Sequence, residues 1–238
     1  MNGIIDIGNT RVKWAVFDGN DLLAEGVLND GWKEAELLHR KYGTAEWLIS
    51  SVKETNEAGK IPFPHSFLNE KTPLPVVNTY ADPAALGKDR IAAVCGAAAL
   101  FPGRNILVID AGTCITFDFV DTDKVYHGGS ISPGISMRLE AMHHFTAKLP
   151  LLSFEETDFF TGKDTRSSML TGVKQGVLGE AERQISLYSS KYSQLKVVIC
   201  GGNSGFFEKS LKMDIFVASN LVLSGLNNIL LYKQSLHA

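Results

Sequence analysis

Asp6, Gly8, Asn9, Thr10 and Lys13 fall within one short stretch, Ile4 to Asp18, that reads IIDIGNTRVKWAVFD. Their types suit one ligand chemistry. A phosphate needs backbone N–H groups at close range, and glycine carries no Cβ to hold the oxygens away. Asn9 and Thr10 can donate side-chain hydrogen bonds to the same oxygens. Lys13 lies on the returning chain, where its ammonium reaches back over the turn. Asp6, at the end of an apolar run, can hold a hydrated Mg²⁺ that faces the phosphates. A single turn of this kind is equally an ordinary hairpin with a solvated lysine. It is neither GxxxxGK[ST] nor GxGxxG.

The chain then repeats itself. Asn105 to Asp121 reads NILVIDAGTCITFDFVD: an apolar run ending in Asp110, a turn at Gly112-Thr113, and a second apolar run. A third strand exit, Val197 to Cys200, leads into Gly201-Gly202-Asn203-Ser204-Gly205 and suits the approach of an adenosine group. Two aspartate-ended turns facing each other would grip a triphosphate, and together the elements point to ATP. Lys88-Asp89-Arg90 offers a carboxylate to orient an acceptor hydroxyl and take its proton, and two cations for a substrate's own carboxylate. On its own that triplet reads first as a solvated helix start.

The elements that must position these residues follow from period and turn chemistry. In the first half, strands are expected at Ile4–Asp6, from Val12, at Leu22–Leu28, Glu46–Val52 and Leu74–Thr79. Helices are expected at Trp32–Tyr42 and Glu54–Lys60, with a helix start at Asp82-Pro83 and a buried helix over Ile91–Leu100. In the second half, strands are expected at Ile106–Asp110, Cys114–Asp121, Val125–Ser130, Val197–Cys200 and Ile215–Val217. Helices are expected at Ile135–Phe145, from Thr165 to about Tyr192, and over Asn220–Gln234. The fold class is α/β: two related halves, 1–104 and 105–238, with mixed sheets flanked by helices, a nucleotide cleft between them, and the last helix packing back on the first half.

Composition excludes several classes. With 45% hydrophobic and 21% charged residues the chain is a folded one, not a disordered one. A net charge of -3 and the lack of any Lys/Arg run argue against nucleic acid as a partner. No apolar stretch reaches the ~18 residues of a membrane span. Cys95, Cys114 and Cys200 are an odd count in apolar surroundings with no CxxC spacing, read as buried thiols of a cytoplasmic protein. His143-His144 are neighbours on a helix and point apart, so they make a poor metal pair.

Six or more motifs, in order, resemble the type III pantothenate kinases of the actin-like ATPase superfamily, whose folds are ribonuclease H-like. They are DIGNTRVK (Asp6 to Lys13), GKDR (Gly87 to Arg90), DAGT (Asp110 to Thr113), GGSISPGISM (Gly128 to Met137), TAKLP (Thr146 to Pro150), Thr165 with SSMLTGV, CGGN and the LSGLNNI tail. The resemblance implies phosphorylation of pantothenate to 4′-phosphopantothenate, the first step of coenzyme A biosynthesis. It implies that Asp6, Ile7, Gly8, Asn9, Thr10, Arg11, Val12 and Lys13, with Thr113, bind ATP and its Mg²⁺. Tyr80, Gly87, Lys88, Asp89, Arg90 and Thr165 would bind pantothenate, with Asp89 the catalytic base. Asp110 would hold a monovalent cation, K⁺ or NH₄⁺, and the protein would be a homodimer with Thr165 reaching across the interface. The chain departs from the family pattern at Lys88, Cys114 and Asn203. A kinase for another small hydroxy acid or sugar, or a non-catalytic nucleotide-binding factor, is the alternative.

Overall fold

A computed structural model of the protein describes residues 1–52, 61–158 and 160–236. The expected helix at Glu54–Lys60 lies outside the described residues. Strands β1 (Asn2–Ile7), β2 (Val12–Asp18) and β3 (Asp21–Val27) form an antiparallel meander. Helix α1 (Gly31–Tyr42) comes next, closed by Gly43 in the left-handed conformation, and returns the chain to β4 (Glu46–Ser51), parallel to β1. Then come β5 (His65–Phe67), β6 (Val77–Asn78), α2 (Lys88–Leu100), β7 (Ile106–Ala111), β8 (Cys114–Val120), β9 (Val125–Pro133) and α3 (Ile135–Phe145). The chain ends with α4 (Thr165–Lys191), β10 (Lys196–Cys200), α5 (Ser204–Ser210), β11 (Phe216–Val217) and α6 (Leu221–Ser235).

The first sheet has the order β3-β2-β1-β4-β5 and the second β11-β10-β7-β8-β9-β6. Leaving β6 aside, the second order repeats the first strand for strand. The doubled motif is thus a doubled topology.

Three expectations are corrected. β6 covers only Val77–Asn78, because Pro73 and Pro75 have no N–H to give a ladder, so pairing with β9 begins at Val77. Asp82-Pro83 opens a turn, not a helix: the Asp82 carboxylate accepts from Ala84 and Ala85 N–H, and α2 starts at Lys88. The expected elements also lack β5 and α5. β5 exists through pairing with β4, a tertiary contact that three residues cannot announce locally.

The chain divides into two compact units. The first comprises Met1–Ile106, Asp118–Gly128 and Asn220–Ala238; the second comprises Leu107–Phe117 and Gly129–Ser219. In the first, Ile5, Val16, Trp47 and Ile49 face Leu28, Ala35 and Phe63, and α6 packs on β1 and on α2. Buried amides fix α6: Asn2 Nδ2 donates to Asn227 Oδ1 at 3.3 Å and Asn227 Nδ2 to Gly19 O at 2.8 Å. In the second, Leu107, Ile109, Ile115 and Phe117 pack on Leu139, Val173 and Val177. The α4 N-terminus is closed by a capping box between Asp164 and Ser167.

The crossing of α2 and α6 depends on Gly225. A Cβ there would lie 1.8 Å from Ala92 O. Gly225→Ala therefore costs about 3 kcal/mol, the upper range for overpacking, since a backbone carbonyl cannot step aside. Gly172→Ala, with nothing within 4 Å of the added Cβ, is neutral or stabilising. Urea denaturation of the pair checks this; equal stabilities would contradict the close crossing.

Candidate active site

In the first unit, β1, the central strand of its sheet, carries Asp6 near its C-terminal end. Its register partners are Lys13 on β2 and Ser50 on β4, so the three side chains share one face. The turn after β1 is tight, with Gly8 N–H donating to Arg11 O at 3.1 Å. It leaves Asn9, Thr10 and Arg11 exposed, while Ile7, Gly8, Val12 and Lys13 are half-buried.

Asp6 is electrostatically unusual. Burial pushes its carboxyl up from 3.8 to about 6, and the charge of Asp89 adds to the rise; Ser50 and Lys13 pull the other way. Its buried Oδ1 and the Ser50 Oγ beside it make no well-formed hydrogen bond, although Ser50 is close enough to pull the carboxyl down. Half-buried carboxylates rarely stay this poorly matched without a ligand that supplies positive charge.

Asp89 lies in the first turn of α2. Its Oδ1 accepts from Arg90 N–H at 2.8 Å, and a Cβ on Gly87 would fall 2.7 Å from that oxygen, so a bare residue at 87 lets the carboxylate lie back over the helix start. Lys88 is half-buried beside it. Arg90 is buried, and its guanidinium is paired within the unit. Nε lies 3.1 Å from both oxygens of Asp118, and Nη2 donates to Oδ1 at 2.6 Å. Tyr126 Oη also donates to Asp118 Oδ1, at 2.7 Å. Tyr80 stacks on Tyr126 and lies under Arg90, whose Cζ is 5.6 Å from the Tyr80 ring centre. Burial alone would lower the pKa of Arg90, but the hydrogen bonds and charge of Asp118 outweigh it and raise it; burial raises the Tyr126 phenol. The first unit thus gathers Asp6, Lys13, Tyr80 and the Gly87–Arg90 segment.

Asp118, Tyr126 and Ser50 are residues that sequence reasoning missed. One signal was available: Asp118 is the sole charged residue between Ile115 and Val120, inside an apolar strand. A buried charge in a strand requires a partner.

In the second unit, Asp110 ends β7 beside three glycine-bearing turns. Gly112 N–H donates to Cys114 O at 3.0 Å, Gly134 N–H to Thr113 O at 3.0 Å, and Asn203 N–H to Ala111 O at 2.9 Å. Gly201 has φ +90°, and a Cβ on it would lie 2.4 Å from Asp110 Oδ1. Any side chain at 201 would collide with that carboxylate and with the Ala111 backbone. Thr113 is exposed on its turn. Thr165 is exposed on the first turn of α4, apart in sequence and element from the other residues of this unit's turns. Cys95 and Cys200 are buried and Cys114 is half-buried, a correction to its expected burial. Among the described residues no group of three or more His, Cys, Asp or Glu could hold a metal ion. A cation would therefore be met by fewer than three such side chains, with water and substrate oxygens completing its shell. His143 is taken up by Leu149 O at 2.7 Å.

The duplicated strand order, with an aspartate at the end of each first strand and glycines in the adjoining turns, defines an actin-like ATPase fold. A Campylobacter jejuni protein assigned to a Baf family of transcriptional activators shares it at TM-score 0.65 and 20% identity, over 98% of this chain and 99% of that one. So does the activator of 2-hydroxyisocaproyl-CoA dehydratase from Clostridium difficile, solved with bound ADPNP, at TM-score 0.55 and 14% identity, over 98% and 94%. At the level of sequence, the profile of Type III pantothenate kinase matches residues 4–187. A type III pantothenate kinase of Bacteroides fragilis is 45% identical over 240 residues, 98% of each chain. The chain belongs to the type III pantothenate kinase family, and is a phosphotransferase. No helix among the described residues is long and apolar enough to cross a membrane.

Proposed function

We propose that the protein transfers the γ-phosphoryl group of ATP to the primary hydroxyl of pantothenate, giving 4′-phosphopantothenate and ADP, the opening step of coenzyme A biosynthesis. The observation that carries the reading at the level of residues is the placement of two carboxylates in one unit. Asp6, half-buried and with an oxygen that makes no well-formed hydrogen bond, adjoins the glycine turn, and Asp89 stands within reach of its charge.

Each residue then has a role. The Asp6–Lys13 segment binds the ATP phosphates: the backbone around Gly8 approaches them, Asn9, Thr10 and Arg11 donate to them from exposed positions, and Lys13 offsets their charge. Ile7 and Val12, paired across the hairpin, set the turn's width. Thr113 donates from the second hairpin. Asp6 would hold Mg²⁺, which when bound neutralises phosphate charge as it shifts toward the leaving ADP. Asp110, whose Oδ1 Gly201 approaches closely because it has no Cβ, would hold K⁺ or NH₄⁺.

Asp89 orients the acceptor hydroxyl and takes its proton as the oxygen attacks Pγ and the bond from Pγ to the ADP oxygen breaks. Tyr80, Gly87, Lys88 and Arg90 receive pantothenate, the cations facing its carboxylate. Thr165 contacts pantothenate from a second copy in a cytoplasmic homodimer that meets neither nucleic acid nor membrane.

An acceptor panel tests the reaction. With ATP, Mg²⁺ and K⁺ or NH₄⁺ present, ADP release should depend on pantothenate and not on sugars or other hydroxy acids. Release driven by a different acceptor, or by none, would overturn it.

A further inference from the structure

Arg90 and Asp118 form a charge pair buried at 6% and 1% side-chain exposure. Removing two such charges from water is costly, and hydrophobic residues of the same size would often fill such a place at least as stably. The pair therefore needs a reason beyond cohesion. Its geometry offers one. Asp118 takes Nε and Nη2, the fork on one edge of the guanidinium. Tyr126 Oη holds the carboxylate from a further side, and Tyr80 lies under the guanidinium. A guanidinium gripped along one edge and stacked on a ring cannot rotate, so its remaining donors point in one fixed direction. Arg90 directly follows Asp89 on the first turn of α2.

We propose that Asp118, fixed by Tyr126, is a positioning residue that sets how Arg90 reads the acceptor's carboxylate, and so determines selection for an acidic acceptor over its neutral analogue. This rests on the reading of Arg90 as an acceptor-binding residue. Asp118 also lowers the net charge of the Arg90 site. If charge alone mattered, losing Asp118 would tighten carboxylate binding. If orientation matters, losing it loosens binding. The two ideas give opposite signs.

The readout is the ratio of kcat/KM for pantothenate to that for pantothenol, the alcohol that lacks the carboxylate. Tyr126→Phe keeps the ring and its stacking and removes only the hydroxyl. It should lower the ratio severalfold, and Asp118→Asn should lower it about tenfold or more, the scale of a hydrogen bond to a charged group. KM for ATP should stay within about twofold in both, since a uniform factor that small is under half of one tenfold step. A purely structural pair would lower melting temperature and total activity while leaving the ratio unmoved. An unmoved or increased ratio in Tyr126→Phe overturns the proposal, even should Asp118→Asn fail to fold. If the unaltered protein shows no pantothenate turnover at all, the failure lies with the assigned reaction, and the two cases stay separate.

Discussion

Asp89→Asn lowers kcat by about 10²–10⁴-fold, the usual contribution of a positioned base. Asparagine has the shape of aspartate and keeps an oxygen that can accept from Arg90 N–H, where Asp89 Oδ1 now accepts at 2.8 Å. The start of α2 should thus remain as it is, and thermal melting should barely move. KM for ATP should also hold, because the change removes proton acceptance and not phosphate binding. A further sign is available in the same variant. The Asp89 charge helps to raise Asp6, so the Asp6 carboxyl should titrate lower once residue 89 is neutral, as carboxyl-resolved NMR would report. An undiminished rate would remove Asp89 from the chemistry.

Asp6→Asn should stabilise the protein at neutral pH while removing most of its activity. The carboxyl of Asp6 is raised from 3.8 to about 6 in the folded chain. A raised carboxyl pKa means that the fold prefers the protonated form. Stability from this group is fully present below about pH 4 and is lost as pH rises through about 6. Above that, the native state carries a charge held at a cost of up to about 3 kcal/mol, since each pKa unit is worth about 1.4. Asparagine stays neutral throughout. Its gain over aspartate should be near zero at pH 4 and largest at pH 8. Loss of activity should be about 10²–10³-fold, comparable to removing one preorganised charge contact in other enzymes. Mg²⁺ with an ATP analogue should stabilise the unaltered protein far more than the variant. Urea melts at pH 4, 6 and 8 decide it; a variant less stable at pH 8 would show that Asp6 is satisfied inside the fold.

The legible part of the site lies close together along the chain. Asp6 and the turn from Gly8 to Lys13, or Asp110 and the Gly112-Thr113 turn, are written within a few residues because a hairpin is a local object. The repeated strand order accords with reading that hairpin twice. Helices α3 and α4, expected at Ile135–Phe145 and from Thr165 to about Tyr192, lie at Ile135–Phe145 and Thr165–Lys191. Partnerships across distance did not show. Arg90 on α2 meets Asp118 on β8, 28 residues away, and no local rule links them. β5 is held by β4, and the α2–α6 crossing needs Gly225 against Ala92, 133 positions apart. Asp82-Pro83 misled because the signals that open a helix also open a turn. The residues downstream, here Leu86-Gly87, tell the two apart.

The most direct test is a crystal structure with an unreactive ATP analogue, Mg²⁺ and pantothenate bound together. The phosphates should lie at the Gly8–Lys13 turn, Mg²⁺ should be held through Asp6, and the primary hydroxyl of pantothenate should lie about 3 Å from the Asp89 carboxylate. Pantothenate turned with that hydroxyl away from Asp89, or phosphates bound elsewhere than the Asp6 turn, would contradict the assignment.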